Sequence, residues 1–278
     1  MNIIEFIKEN NIFTGKKPLK TKLICIISFI ILFICFLIII TKPQSTTSKI
    51  AFIDTGLNVN QVNFNNNINI SKYNVFDNSN NIEDKHLHGT NIISALYSKN
   101  SGFQLNNDFL MIKALDNQGH SKAEDIVKAV KYACNDKDVN ILNLSLSLNA
   151  YNKEVDKEIN TCLNKNIIVV ASAGLDSNSI SFPANINGVI SVGTYGKDNK
   201  KLNKDINILV DMNNSYYCLN DKCNISNSNS MATANVSAYI SNLLLDSKNK
   251  IIDKLKKDHY LLSFNYLSGP SLDKYYFN

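Results

Sequence analysis

Three polar residues in this sequence carry side chains that could together perform nucleophilic catalysis. Asp54 closes an apolar run in AFIDTG, His88 opens HGTNIISAL, and Ser230 opens SMATANVSAYISNLLL. A serine hydroxyl is a weak nucleophile at neutral pH and needs a neighbouring base, and histidine titrates close to neutrality. Each residue also has a plainer interpretation, as a turn-capping aspartate, a first-turn histidine and a helix N-cap serine. The choice depends on the elements that position them.

The segments around these residues alternate between apolar β-branched runs and amphipathic runs. The first pattern predicts strands over 49–54, 109–115, 139–146, 166–172 and 188–194, with a further strand in 206–212. The second predicts helices over 88–98, 123–135, 152–165, 230–246 and 248–258. Continuous apolar strands separated by helices predict an α/β fold, with a mainly parallel sheet covered by helices on both faces. The Asn-rich segment 58–81 is expected to be an irregular connection, and the tail 260–278 receives no assignment.

The three polar residues fall where such a fold gathers its chemistry, at carboxyl ends of strands and at the starts of helices. The stretches that contain them, IAFIDTGLN, HGTNIISAL and NSMATANVSAYI, resemble the aspartate, histidine and serine motifs of the subtilisin-like serine peptidases, the subtilase family or peptidase S8. The stretches IKALDNQG, NIIVVASAG and FPANINGVISVGTYGKDNK have counterparts in the same order. The resemblance covers roughly residues 49–245 and implies a twisted, subtilisin-like sheet.

The resemblance also implies a role for each member of a catalytic triad. Ser230 would attack the substrate carbonyl, His88 would act as the general base, and Asp54 would orient the imidazole and stabilise its charged form. His86 is the less favoured base, because the HGT sequence follows His88. No cofactor is implied, and no acidic cluster has the spacing of a metal site. The expected partner is a peptide or protein substrate.

The substrate-binding set that the resemblance implies comes from two strands of the sheet. In NLSLSLN, the stretch through Ser145, Leu146 and Ser147 would pair with the substrate backbone, and Ala173 and Gly174 complete the set. This stretch lacks the glycines that are usual in the family. Ser147 and its neighbour Leu148 are therefore expected to crowd the pocket and restrict the substrates.

Leu175 is the largest departure from the family pattern. It stands where the family's AAGN motif places an asparagine whose amide donates to the oxyanion. Leucine has no donor, so the Ser230 backbone N–H is the one that clearly remains, unless a shifted loop brings in Asp176 or Asn178. Two hypotheses follow: an active endopeptidase, with precursor or leader peptides as one candidate substrate class, and a pseudopeptidase that binds peptides or scaffolds another protease.

The N-terminal part of the chain predicts a membrane anchor. The run LICIISFIILFICFLIII is long enough to cross a bilayer as a helix, and five lysines precede it, whereas only Lys42 and Lys49 follow it closely. Its length favours an uncleaved anchor over a cleaved signal peptide. The predicted organisation is a cytoplasmic segment 1–22, a transmembrane helix 23–41 that provides the membrane contact from Leu23 to Thr41, a tether 42–48 and an extracytoplasmic peptidase domain 49–278.

The charge and the cysteines of the chain narrow the range of partners and compartments. The formal net charge of +5 rests on lysine alone, because the chain contains no arginine, which argues against nucleic acid as a partner. Two of the six cysteines lie in the apolar run. Cys134 and Cys162 are expected to be buried thiols in helices. Cys218 and Cys223 would face an oxidising compartment and could close a small disulfide loop, but the sequence does not decide whether they are joined.

Overall fold

The computed structural model describes residues 27–31, 48–64, 68–97, 105, 107–174, 179–195, 205–212, 216–245, 249–257, 260–265 and 269–274. The chain divides into two units, Met1–Thr46 and Thr47–Asn278. The described part of the first unit is helical and exposed at 27–31. The predicted segment 1–22, most of the predicted transmembrane helix 23–41 and nearly all of the tether 42–48 lie outside the described residues. Among the residues that are described, no helix has the length and apolarity needed to cross a membrane.

The second unit is built on a nine-stranded sheet with the order β11-β10-β7-β6-β5-β4-β1-β3-β2. Neighbouring strands are parallel except for β10 and β11. A separate antiparallel hairpin contains β8 and β9. The strands are β1 Lys49–Asp54, β2 Ile70–Asn74, β3 Phe109–Lys113, β4 Val139–Leu144, β5 Ile168–Ser172, β6 Ile190–Tyr195, β7 Ile208–Asp211, β8 Tyr216–Leu219, β9 Lys222–Ile225, β10 Tyr260–Asn265 and β11 Gly269–Lys274.

Helices cover both faces of this sheet. They are α1 His88–Tyr97, α2 Ala123–Asn135, α3 Lys153–Asn164, α4 Asn229–Leu245 and α5 Asn249–Leu255, and a short 3-10 helix covers Val59–Gln61. Successive residues of β1 point to opposite faces: Ile50 and Phe52 join a core with α1, α4 and α5, whereas Ala51 and Ile53 join a second core with α2 and α3. The central strands are therefore apolar throughout, which is why they read as continuous runs in the sequence.

The predicted α/β architecture is confirmed, including its mainly parallel sheet. The strand expected in 206–212 is found as β7. Three features were missed. The edge strand β2 lies inside the segment predicted to be an irregular connection, where its sequence ISKYN gives a half-buried strand with little apolar contrast. The hairpin β8–β9 and the strands β10 and β11 were not anticipated either.

Two disulfides cross-link the second unit. The expectation of buried thiols at Cys134 and Cys162 is wrong, because α2 and α3 pack side by side and bring the two Cα atoms to 5.3 Å, where the sulfurs form a disulfide. The helical pattern placed both residues on apolar faces, but it could not show that those faces meet. The structure also joins Cys218 to Cys223, which are directly paired residues of β8 and β9.

Candidate active site

A cleft of about 410 Å³ opens at the carboxyl ends of β1, β3, β4 and β5. In a parallel sheet these ends lie together at one edge, so residues far apart in sequence meet there. His88 and Ser230 both line this cleft, and Asp54 lies beneath it. The other lining residues are Thr55, His86, Leu115, Gln118, Gly119, His120, Ser145, Leu146, Ser147, Ser172, Gly174, Ser228 and Asn229.

Asp54 is the last residue of β1, and its carboxylate is held from two sides. The Thr55 backbone N–H donates to Asp54 Oδ1 at 2.7 Å, and His88 Nδ1 lies 2.7 Å from the same oxygen. Glycine is required at two neighbouring positions. Gly56 has φ +121°, and a Cβ on Gly89 would overlap the Gly56 carbonyl and crowd Asp54. The two glycines thus allow the end of β1 to approach the first turn of α1.

His88 is the first residue of α1, and its side chain is 31% exposed toward the cleft. The charge of Asp54, which is only 2% exposed, raises the pKa of the imidazole, although burial of the ring acts in the opposite direction. The charge of Asp84 raises the pKa of His88 further. An imidazole whose Nδ1 is held by a buried carboxylate is oriented so that its other nitrogen can exchange a proton with a neighbouring group.

Ser230 lies in the first turn of α4, but it does not cap that helix. Ser228 takes the capping role, since Ser228 Oγ accepts from the Met231 backbone N–H at 3.2 Å. The interpretation of Ser230 as a helix N-cap is therefore wrong, because the helix begins one residue earlier, at Asn229. The Ser230 hydroxyl is left for other partners and donates to the Ser145 carbonyl at 3.0 Å.

A hydrogen-bonded network fixes the start of α4 against the sheet. Ser145 Oγ donates to the Ser230 carbonyl at 2.8 Å and accepts from the Asn143 amide at 2.9 Å. Ser237, two turns along α4, donates to the carbonyl oxygen of the same Asn143 side chain at 2.9 Å. Asn229 donates to the Gly174 carbonyl and accepts from the Thr194 N–H. These contacts set the position of Ser230 relative to β4, β5 and β6.

The predicted substrate-binding residues divide into two groups. Ser145, Leu146, Ser147 and Gly174 line the cleft. Ala173 is 2% exposed and packs in a small core beneath it. The expected crowding by Leu148 does not occur, because its backbone pairs with Phe182 and its side chain packs against the core that contains α2 and α3.

Leu175, together with the alternative donors Asp176 and Asn178, lies outside the described residues. The described chain approaches it as far as Gly174, whose φ of +88° and contact with Ser181 leave no room for a side chain. Within the described residues, no group of three His, Cys, Asp or Glu side chains is placed to hold a metal ion.

Comparison with known proteins decides the family. A model described as the Subtilase family matches residues 45–255, which is more than half of the chain. The chain belongs to the subtilase family. It is 33% identical over 161 residues to the "Thermophilic serine proteinase" of Bacillus sp. (strain AK1), an alignment that covers 55% of this chain and 39% of that protein.

Two further curated relatives match this chain at lower identity. The subtilase is 27% identical over 165 residues to "Thermitase" of Thermoactinomyces vulgaris, with 57% of this chain and 58% of that one covered. It is 27% identical over 263 residues to the "Cell wall-associated protease" of Bacillus subtilis (strain 168), with 85% and 28% covered. The chain thus spans between 28% and 58% of the length of these three curated relatives.

A solved structure supports the fold of this subtilase. The "Crystal structure of a cold adapted subtilisin-like serine proteinase" matches with a TM-score of 0.65, at 18% identity, over 77% of this chain and 81% of that one. At that identity the match speaks for the fold alone.

Sequence reasoning missed several residues that shape the site of this subtilase. Asn143 and Asn229 gave no distinct signal, because asparagine is common throughout the sequence, although each lies within two residues before a predicted site residue. His120 and Gly119 line the cleft on a tight turn where Gly119 has φ +78° and contacts His86. The glycine after Gln118 was the available signal for that turn. Asp84, which accepts hydrogen bonds at the start of α1, gave no signal in its Asn- and Asp-rich segment.

Proposed function

We propose that this subtilase is a membrane-anchored serine endopeptidase that hydrolyses peptide bonds through Asp54, His88 and Ser230. The observation that carries the proposal is the 2.7 Å contact between His88 Nδ1 and Asp54 Oδ1, at the rim of a cleft that Ser230 also lines. In this mechanism His88 accepts the Ser230 proton as the hydroxyl oxygen attacks the substrate carbonyl, and then returns it to the leaving amine. Asp54 fixes the tautomer and stabilises the imidazolium.

The mechanism requires a rearrangement of the Ser230 hydroxyl. A hydroxyl has one proton, and in the structure that proton is directed to the Ser145 carbonyl. Transfer to His88 therefore requires rotation of the hydroxyl toward the free imidazole nitrogen. The bond given up is a single neutral hydrogen bond at the edge of the cleft, of the kind that contributes about 1 kcal/mol. Substrate whose backbone pairs with the stretch 145–147 can offset this cost.

The oxyanion that forms on the substrate carbonyl needs donors. The Ser230 backbone N–H, in the first turn of α4, is one such donor. Leu175 supplies no side-chain donor where the family pattern has asparagine. We therefore propose a slow or selective enzyme, in which precursor or leader peptides are the candidate substrates.

The proposed location is the cell membrane, with a single span from Leu23 to Thr41, a cytoplasmic N-terminus and an extracytoplasmic peptidase domain. The apolar run and the lysines before it support this topology. The two disulfides agree with it, because disulfides form and persist in oxidising compartments. The topology predicts that an external protease removes the domain from intact cells and leaves a short N-terminal fragment behind.

A pseudopeptidase that binds peptides or scaffolds another protease is the second candidate. Leu175 favours it, as does the Ser230 hydroxyl, which is engaged with Ser145 and not with the imidazole. The absence of crowding by Leu148 favours the enzyme.

Hydrolysis of a peptide library by the purified full chain separates the two candidates. The enzyme predicts cleavage products from the wild type and none from Ser230→Ala, which removes only the nucleophilic oxygen. A Ser226→Ala variant is a matched control, since it removes a hydroxyl from the same loop that does not line the cleft, and it should retain cleavage. If wild type and Ser230→Ala give the same products, or neither gives any, the enzyme is excluded.

A further inference from the structure

A second buried carboxylate, that of Asp84, lies against the first turn of α1. Asp84 is 0% exposed, and it precedes α1 by four residues. Its Oδ1 accepts from the backbone N–H groups of Leu87 at 2.8 Å and His86 at 3.2 Å. Its Oδ2 accepts from the Thr90 N–H at 2.9 Å and from the Thr90 hydroxyl at 2.7 Å. Both oxygens are thus satisfied by groups that flank His88 on either side.

These contacts determine where α1 begins. The N–H groups of a first helical turn have no partner within the helix, and a carboxylate that accepts from them stabilises the helix end. Leu87 adopts φ +71°, a conformation that is unusual for a leucine, and its N–H is one of those that Asp84 holds. Asn58 closes the other side, since it exchanges two hydrogen bonds with the Asp84 backbone.

Thr55 lies next to both buried carboxylates. Its hydroxyl accepts from the Gly89 N–H at 2.9 Å and donates to Asp54 Oδ1 at 3.3 Å. Burial raises the pKa of Asp84, but hydrogen bonds from Thr90 and Leu87 outweigh it and leave the pKa below the ordinary value. Asp84 is therefore ionised at neutral pH.

A buried lysine completes this set of charges. Lys113, at the end of β3, is 8% exposed, and its ammonium donates to the Thr55 carbonyl at 2.5 Å and to the Leu115 carbonyl at 3.3 Å. Burial lowers the pKa of Lys113, whereas the surrounding carboxylates oppose that change. Asp54, Asp84 and Lys113 together carry one net negative charge while the imidazole of His88 is neutral. The group becomes neutral overall when His88 takes a proton.

We propose that Asp84 is a positioning residue that holds the His88 end of α1 against Asp54 and stabilises the imidazolium, with Lys113 opposing it. The proposal rests on the proposed function, in which the imidazolium forms during each acyl transfer. A buried charge acts on its neighbours with little screening, so the effect of Asp84 persists although it makes no contact with the ring.

Other titratable groups also face His88. The ring of His86 lies 6.3 Å from the His88 ring, centroid to centroid, and His120 lines the same cleft. Glu83 and Asp116 act on Lys113. All of these groups remain unchanged in the variants below, so differences between the variants report the buried charges.

The test is an NMR titration of the His88 ring in the full chain, with ring-labelled histidine and a Ser230→Ala background. The chain has four histidines, so the His88 signal can be assigned with a His88→Gln variant. Asp84→Asn keeps the shape and one acceptor but removes the charge, and it should lower the His88 titration midpoint. Lys113→Gln keeps a donor for the Thr55 carbonyl but removes the opposing charge, and it should raise the midpoint.

Asp136→Asn is the matched control. Asp136 pairs with Lys49 at 2.7 Å. Lys49 begins β1 and Asp54 ends it, so the two ends of the strand lie about 16 Å apart at ~3.3 Å per residue. It should leave the midpoint unchanged. Opposite shifts for Asp84→Asn and Lys113→Gln support the proposal, whereas no shift, or shifts in the same direction, would overturn it.

If Asp84→Asn does not fold, Thr90→Val takes its place, because it removes the hydroxyl that donates to Asp84 Oδ2 at 2.7 Å and leaves His88 intact. A lowered midpoint supports the proposal, and an unchanged or raised midpoint overturns it. The titration needs no turnover, because the nucleophile has been removed. A failure of the proposed peptidase activity is therefore distinguishable from a failure of this proposal.

Discussion

The disulfide between Cys134 and Cys162 makes a quantitative prediction about stability. It joins residues 28 apart in sequence, on α2 and α3. In the chain-entropy description, closing a loop of that length lowers the entropy of the unfolded chain by about 12 cal/mol/K, which raises the free energy of unfolding by about 3.6 kcal/mol at 25 °C. The loop between Cys218 and Cys223 spans only 5 residues, for which the same relation gives about 2 kcal/mol.

The assay is a mutant cycle of Cys134→Ala, Cys162→Ala and the double variant, with unfolding followed in urea. Either single change already removes the cross-link, so each should lower the free energy of unfolding by about 3.6 kcal/mol, or Tm by about 10 °C. The double variant should then cost little more than either single one. This lack of additivity is what a covalent link predicts for two residues in contact.

Additive effects of the two single changes would refute the reasoning, because two independent buried thiols lose their packing separately. The Cys218→Ala and Cys223→Ala cycle provides the comparison, and it should show the same lack of additivity with a smaller loss. Reduction of the wild type breaks both disulfides and should reproduce the loss seen when Cys134→Ala and Cys218→Ala are combined.

Three further predictions concern the chemistry. Asp54→Asn should leave the fold intact by circular dichroism but lower turnover by about 10⁴-fold, because the amide favours the wrong imidazole tautomer; a loss below tenfold would contradict the assigned role. The pKa of His88 is raised on folding, so its proton adds to the free energy of unfolding at low pH and that contribution is lost as pH rises through the folded-state pKa. The difference in free energy of unfolding between wild type and His88→Gln, measured in urea, should shrink over that pH range, while activity should rise. A difference that grows with pH would contradict a pKa that is raised on folding. Leu175→Asn should increase turnover by about 10² or more, the cost of removing one such donor from subtilisin, and an unchanged rate would mean that another donor already serves.

The sequence predicted those parts of the molecule that follow from local pattern. Asp54 and His88 lie at a strand end and a helix start that the apolar pattern predicts, and the resemblance to the subtilase motifs assigned them as site residues. The structure brings His88 Nδ1 to 2.7 Å from Asp54 Oδ1. The core strands were found for the same reason, since both of their faces are buried.

What was missed depends on tertiary contact. The role of Asp84 becomes visible only when the loop that carries it folds over the first turn of α1. The pairing of Cys134 with Cys162 requires that two helix faces meet, and neither face carries a signal for the other. Any of the three serines in SNSNS could cap α4, and only the backbone geometry shows that Ser228 does so.

Labelling with a fluorophosphonate probe tests the central claim most directly, since the probe reacts with a serine only when a base has activated it. The account predicts that the full chain is labelled, that mass spectrometry places the adduct on Ser230, and that Ser230→Ala and His88→Gln abolish the reaction. Labelling that persists in Ser230→Ala, or a wild type that stays unlabelled at high probe concentration, would contradict it.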